Sequence, residues 1–326
     1  MDRVSGNQYR TRGLSETLCP SPSSPMSETT TPNEDQESAS VADVDAQEVE
    51  PRAVTIANNK GGVGKTVITI NVADRLAARG YDVLVMDTDP AGNLTEGIGL
   101  KDRYDEDPHF GQLLDNSDEF ANVGFDDVIA ETEWFDVMPS NINLGSRQNL
   151  LDQDRQAFRL IEDKIVEPLL GDRYDFILID TEASSDSLFM DAAIWASQNM
   201  IIPLEPAEES LRGLQGLKEG QIADASQHRD VEILALVVNR CGTDNEVKRV
   251  IEELSKYFPE QLPSFARKAE LEREGKKLQH GGLRERVAVK RSWREGKPLA
   301  AYDAEDDQIE HFDELATIVE QGGIHE

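Results

Sequence analysis

The stretch Lys60-Gly61-Gly62-Val63-Gly64-Lys65-Thr66 follows a short apolar, β-branched run, Ala53–Asn58 (AVTIAN). It opens a segment with helical spacing, Thr66–Arg79, whose apolar residues Ile68, Val72 and Leu76 share one face and which stops at Gly80. Strand, glycine-rich loop, helix is the context that a phosphate-binding loop requires. Glycines let consecutive backbone N–H groups converge on phosphate oxygens, and the helix N-terminus adds the positive end of its dipole. In such a loop Lys65 reaches the β- and γ-phosphates and the Thr66 hydroxyl ligates Mg2+. The loop departs from G-x-x-x-x-G-K-[ST] at its first position, where Asn59 replaces glycine, and it carries a second lysine, Lys60.

Working outward, further runs read as buried strands: Asp82–Met86, Phe135–Met138, Phe176–Ile179, Met200–Pro203 and Ile233–Val238. Helical stretches separate them, at about Leu144–Leu170, Asp186–Trp195, Leu211–Gln227 and Glu246–Tyr257. Strands alternating with helices imply right-handed crossovers. The expected fold class is therefore α/β, a doubly wound, mostly parallel sheet with helices on both faces. Asp87, Asp89 and Asp180 stand at strand C-terminal ends, where open α/β sheets bind ligands.

The loop, with its early lysine, resembles the deviant P-loop (KGGxGK[ST]) of the ParA/MinD family of ATPases. Val83–Asn93 (VLVMDTDPAGN) resembles that family's DxDPQGN switch segment, and Tyr174–Thr181 (YDFILIDT) its Walker B strand. Phe135–Leu144 (FDVMPSNINL), Ile201–Leu214 (IIPLEPAEESLRGL) and Trp293–Asp303 (WREGKPLAAYD) extend the likeness over about residues 53–320. The resemblance implies a homodimer closed around two ATP·Mg2+. It makes residues Lys60, Gly61, Gly62, Val63, Gly64, Lys65, Thr66 and Val67 the nucleotide cradle, and Asn239 a candidate adenine contact. It also implies that Lys60 reaches the partner's phosphates and that Asp89 orients the attacking water. Asp87 is expected near the magnesium shell, and Asp180 is expected to hold a magnesium-bound water. Three departures stand out: Ala91 where the family has Gln, Glu182-Ala183 where it has two prolines, and Val67 where it has a second Thr.

Composition narrows the choice. The 326 residues carry 64 Asp+Glu against 33 Lys+Arg, a formal charge of -31. So acidic and lysine-poor a surface resembles that of proteins from a salt-rich cytoplasm, where screening shortens repulsion to a few ångströms; an acidic protein of an ordinary cytoplasm is the alternative. Two cysteines, Cys19 and Cys241, make no disulfide framework and no iron–sulfur or cysteine–zinc site. No 18-residue apolar run or signal sequence occurs, so the chain is expected to be cytoplasmic and soluble. Residues 1–50 are rich in Ser, Thr and Pro and are expected to be a disordered tail preceding an ATPase domain at 51–326. Eight acids and no base between Met26 and Glu50 contrast with a nearly neutral stretch before them, so Met26 is the expected biological start.

Membrane-docking relatives end in a basic amphipathic helix, whereas Pro298–Glu326 has nine acids and no Lys or Arg. The ParA branch remains, which binds DNA non-specifically as the ATP dimer, associates with the nucleoid and answers to a ParB-like partner. Between Ser264 and Lys297 there are 11 Lys/Arg against five Glu. Arg267, Lys268, Lys276, Lys277, Arg284, Arg286, Lys290, Arg291 and Arg294 are the candidate phosphate contacts. Two other readings stay open: a basic face pairing with the chain's own carboxylates, and an ATP-gated protein-interaction switch that positions another cargo without DNA.

Overall fold

Residues 49–325 are described by the computed structural model; the start at Met26 and all but the last two residues of the expected tail lie outside them. Nearly uninterrupted apolar runs make the strands. They are β1 (Arg52–Ile56), β2 (Val83–Asp87), β3 (Ala130–Glu131), β4 (Asp136–Met138), β5 (Phe176–Asp180), β6 (Asn199–Leu204) and β7 (Glu232–Val238). The sheet order is β3-β4-β2-β5-β1-β6-β7, with only the β3–β4 pair antiparallel. The main helices are α1 (Lys65–Ala78), α2 (Asn93–Gly97), α3 (Leu144–Leu151), α4 (Leu188–Ser197), α5 (Glu208–Leu217), α6 (Asn245–Tyr257), α7 (Val287–Arg294) and α8 (Ile309–Gln321).

Side chains alternate across a strand, so β2 and β5 each feed two cores. On β5, Phe176 and Leu178 join one apolar cluster while Ile177 and Ile179 join the other. On β2, Val83 and Val85 divide from Leu84 and Met86 in the same way. The first cluster packs beneath α1, α6 and α8, and the second beneath the segments around Phe110, Leu144 and Leu160–Leu169. This is the doubly wound, mostly parallel sheet that the sequence pattern predicts.

Two expected helices are broken. The stretch 144–170 ends its first helix at Leu151, because Asp154 turns its carboxylate back onto the Gln156 N–H at 2.9 Å and offers the backbone a competing turn. A π turn and a short helix follow at Glu162–Val166 and Glu167–Leu169. The stretch 211–227 widens into a π turn at Lys218–Ile222, where Gly220 sits at φ -96°, ψ -108°. β3, two residues long, carries too little pattern to be read from sequence.

Candidate nucleotide site

Strand register builds the site. Ile56 pairs with Asp180, and Asp180 pairs with Asp87, so three adjacent strands end level with one another. The loop leaving β1 therefore runs directly over the carboxylates closing β5 and β2. Gly62 and Gly64 turn the loop at φ +76° and +98°, conformations that cost an L side chain energy. At Gly64 an added Cβ would also lie 2.0 Å from the Asn239 amide nitrogen. No side chain caps α1, so the first N–H groups of the helix face the loop.

Around this cradle the polar groups are tightly bound. The Thr66 hydroxyl donates to Asp180 Oδ2 at 2.7 Å, and the Thr69 hydroxyl lies 3.4 Å from Asp180 Oδ1. Lys65 is buried and donates to the Asn58 carbonyl at 3.3 Å, while Asn58 is fixed to Pro203 O and to the Lys60 N–H. Burial lowers the Lys65 pKa, and Asp180, Asp89 and Glu182 oppose that shift. Asp180 is pushed well above the usual carboxylate range by burial and by Asp87 beside it. Burial also raises Asp87 to about 7. Carboxylates crowded out of water beside a Thr hydroxyl are the donor set for a hard divalent cation, whose charge would return them to the ionised form. Thr66 and Asp180 fit that role.

A cleft of about 560 Å3 opens over these groups, lined by Gly61, Gly62, Gly64, Lys65, Thr66, Val67 and Asp89 among the expected residues. Asp89 is held at its edge by the Ala91 N–H on its carboxylate and by the Ser140 hydroxyl on its carbonyl. Other expected residues are placed differently. Asp87, fully buried, accepts the Thr95 hydroxyl and N–H at 2.7 and 2.8 Å, so it anchors the N-terminal turn of α2 rather than facing the cleft. Asn239 spends its amide on Val63 O (2.8 Å) and on the Arg240 N–H (2.8 Å), clamping the loop. A neighbouring hollow of about 90 Å3, lined by Asn239, Val67 and Phe312, lies beside it. Val63 is buried beneath the loop. Lys60 is ion-paired with Glu205 at 2.7 Å.

The structure brings to the cleft residues that lie outside the phosphate-loop motif. Arg240, at a left-handed φ of 56°, lines the cleft over Gly62 and shares Glu205 with Lys60 at 3.0 Å. Despite partial burial, these two cations hold Glu205 below the ordinary carboxylate range. Lys290, Trp293 and Arg294 of α7 also line the cleft. Trp293 donates to Asn93 O at 3.2 Å and packs so closely on Gly97 that a Cβ there would lie 2.1 Å from its nitrogen. None of these positions belongs to a phosphate-loop signature, so only the folded chain brings them in.

The basic segment divides. Lys268, Lys276, Arg284, Arg286 and Lys290 pair with Glu252, Glu274, Asp307, Asp307 and Glu285. Arg267 donates to Leu262 O. Among the described residues no carboxylate pairs with Lys277, Arg291 or Arg294, and Arg294 faces the cleft. Self-pairing thus accounts for much of the segment, and the free cations are fewer than the sequence count suggests. No described helix is long and apolar enough to cross a membrane.

A sequence family described as an AAA domain matches residues 51–233. An uncharacterized protein of Methanocaldococcus jannaschii is 30% identical over 267 residues, covering 81% of this chain and 96% of that one. The sporulation initiation inhibitor protein Soj of Bacillus subtilis is 28% identical, covering 83% and 99%. Among solved structures, an ATP complex of McdA from Cyanothece aligns with a TM-score of 0.65 at 17% identity, covering 85% of this chain and 99% of that chain.

Two expectations follow. Gly64→Ala should abolish nucleotide binding in equilibrium dialysis while the far-UV spectrum is kept. The Asp87 carboxyl is protonated more readily folded (about 7) than unfolded (about 3.8). Its stabilising share is therefore complete below pH 4 and lost as pH rises to 7. The melting temperature of protein stripped of nucleotide should fall across that window, and Asp87→Asn should flatten the fall.

Proposed function

The chain belongs to the ParA/MinD-type P-loop ATPases, its relatives include the chromosome partitioning protein ParA of Myxococcus xanthus and that of Caulobacter vibrioides, and from that premise we propose that it hydrolyses ATP in a nucleotide-closed homodimer and uses the cycle to gate non-specific DNA binding. In this reading Lys65 and the loop N–H groups hold the phosphates, Thr66 and Asp180 the magnesium, and Asp89 the water. Lys60 exchanges Glu205 for the partner's phosphate when two loaded subunits meet. A ParB-like centromere-binding partner would accelerate hydrolysis, and the cargo would be a plasmid or chromosome.

The observation that carries the reading is the seat of α7. This basic helix lies on α2, directly after the Asp87–Asp89 segment, through Trp293 on Asn93 and Gly97. Gly296 packs on Gly99, and a Cβ added to Gly296 would come within 2.7 Å of the Gly99 backbone. A movement of the switch segment on γ-phosphate would shift the helix bearing Arg291. Exposed unpaired cations on such a helix suit backbone phosphates, which carry affinity without sequence preference. The expected cytoplasmic, nucleoid-associated location belongs to the same proposal.

Because Arg294 lines the cleft, the informative substitution avoids it. Lys277→Glu with Arg291→Glu should remove ATP-dependent DNA co-sedimentation at least tenfold and leave ATP affinity unchanged. Equal DNA retention in the variant would turn the assignment away from these two cations. Absence of ATP-dependent retention in the unaltered protein would favour the protein-interaction switch.

A further inference from the structure

A second cavity, of about 650 Å3, begins at Asn59, the residue before Lys60. Phe158, Trp195 and His228 form its aromatic wall. That wall is fixed from behind. The Trp195 indole N–H donates to Glu162 at 2.8 Å, and Glu162 also binds Arg229 at 2.6 Å. Arg229 covers the indole at 4.8 Å, and Phe158 meets it edge-on at 4.6 Å. Opposite, the chain is open at Gly216 and Gly220, where an added Cβ would meet nothing within 4 Å. The π turn at Lys218–Ile222 supplies that opening.

The polar groups of this cavity are lopsided. Asp191 and Asp224 line it, and Asp152 and Asp186 are close enough to act on Asp191. Burial first, and then these like charges, raise the Asp191 carboxyl to about 6. Among the described residues no Lys or Arg pairs with any of the four, whereas Glu205 takes Lys60 and Arg240, and Asp307 takes Arg284 and Arg286. The wall's amides are engaged with one another, Asn59 Nδ2 on Gln221 (3.4 Å) and Gln221 Nε2 on Ser185 O (2.9 Å). Asn59 Oδ1 is buried with no donor. The cavity therefore sets two carboxylates without a cationic partner beside flat aromatic faces.

We propose that this cavity binds an organic cation, a guanidinium or alkylammonium group, whose N–H groups bond to Asp191 and Asp224 and whose apolar stem lies against Trp195 and Phe158. Charge-assisted hydrogen bonds and ring faces are the two attractions such a group combines with. A ligand here would touch the bridge made by Gln221 between Asn59, at the start of the phosphate loop, and Ser185, after Asp180. Occupancy is therefore placed to alter the loop that carries Lys60; that consequence alone rests on the ATPase reading.

Calorimetry on the full chain without nucleotide tests the site directly, in high KCl to screen non-specific attraction to an acidic surface. The probes are agmatine, a short arginine-containing peptide, and N-butylurea as an uncharged counterpart. A cationic probe should saturate at one site per chain, and butylurea should not bind. Asp191→Asn with Asp224→Asn should weaken the cation at least tenfold. Gly216→Leu, which fills the cavity without touching an acid, should block it. Saturation by agmatine identifies a free small cation as the ligand, and saturation by the peptide alone places the cation on a partner polypeptide. No saturation by either, or equal binding in the variants, overturns the proposal whatever becomes of the ATPase reading.

Discussion

Level strand ends are the constraint on which the rest of this molecule depends. Ile56, Asp180 and Asp87 are register partners across β1, β5 and β2, and that backbone fact sets the phosphate loop over two carboxylates. A one-residue slip of a strand would invert its side chains and exchange its core face, so the two apolar clusters hold the register as firmly as the hydrogen bonds do. The site is thus a by-product of core packing, with Thr66 on Asp180 as the bond that ties loop to sheet.

Electrostatics then assigns the parts. The buried carboxylates resist ionisation and the buried lysine resists protonation, so the cleft is poised for a ligand that brings both anionic phosphate and a divalent cation. At the rim, Lys60 and Arg240 share Glu205. A cation held this way stays extended at the surface and can change partners without being rebuilt. The seat of α7 on α2 extends the same cleft to the basic segment, so nucleotide and candidate DNA contacts touch one short helix.

Much of this was legible from residues alone. The glycine loop and the β-branched runs gave the strands to within a residue or two, because buried parallel strands leave unbroken apolar runs. The loop residues that line the cleft lie side by side in sequence, so one short pattern covers them. No such pattern covers Arg240, Glu205 and Trp293, since they reach the cleft from β7, β6 and α7 and no spacing announces a meeting made by tertiary packing. Helix continuity was over-read at 144–170 and 211–227, where an Asp turn and Gly220 interrupt an otherwise helical pattern. The basic segment stays open between free and self-paired cations on sequence alone. Sequence counts charge, whereas Asp307, Glu285 and their neighbours decide how much of it is free.

Sedimentation velocity tests the central claim, that Lys60 is the element by which one loaded cleft senses another. The protein and its Lys60→Ala variant would be compared in Mg·ATP and Mg·ADP. The account expects the unaltered chain to become dimeric in ATP alone, and the variant to stay monomeric while still binding nucleotide. A variant that dimerises as readily as the unaltered chain, or equal mass in ATP and ADP, would contradict it.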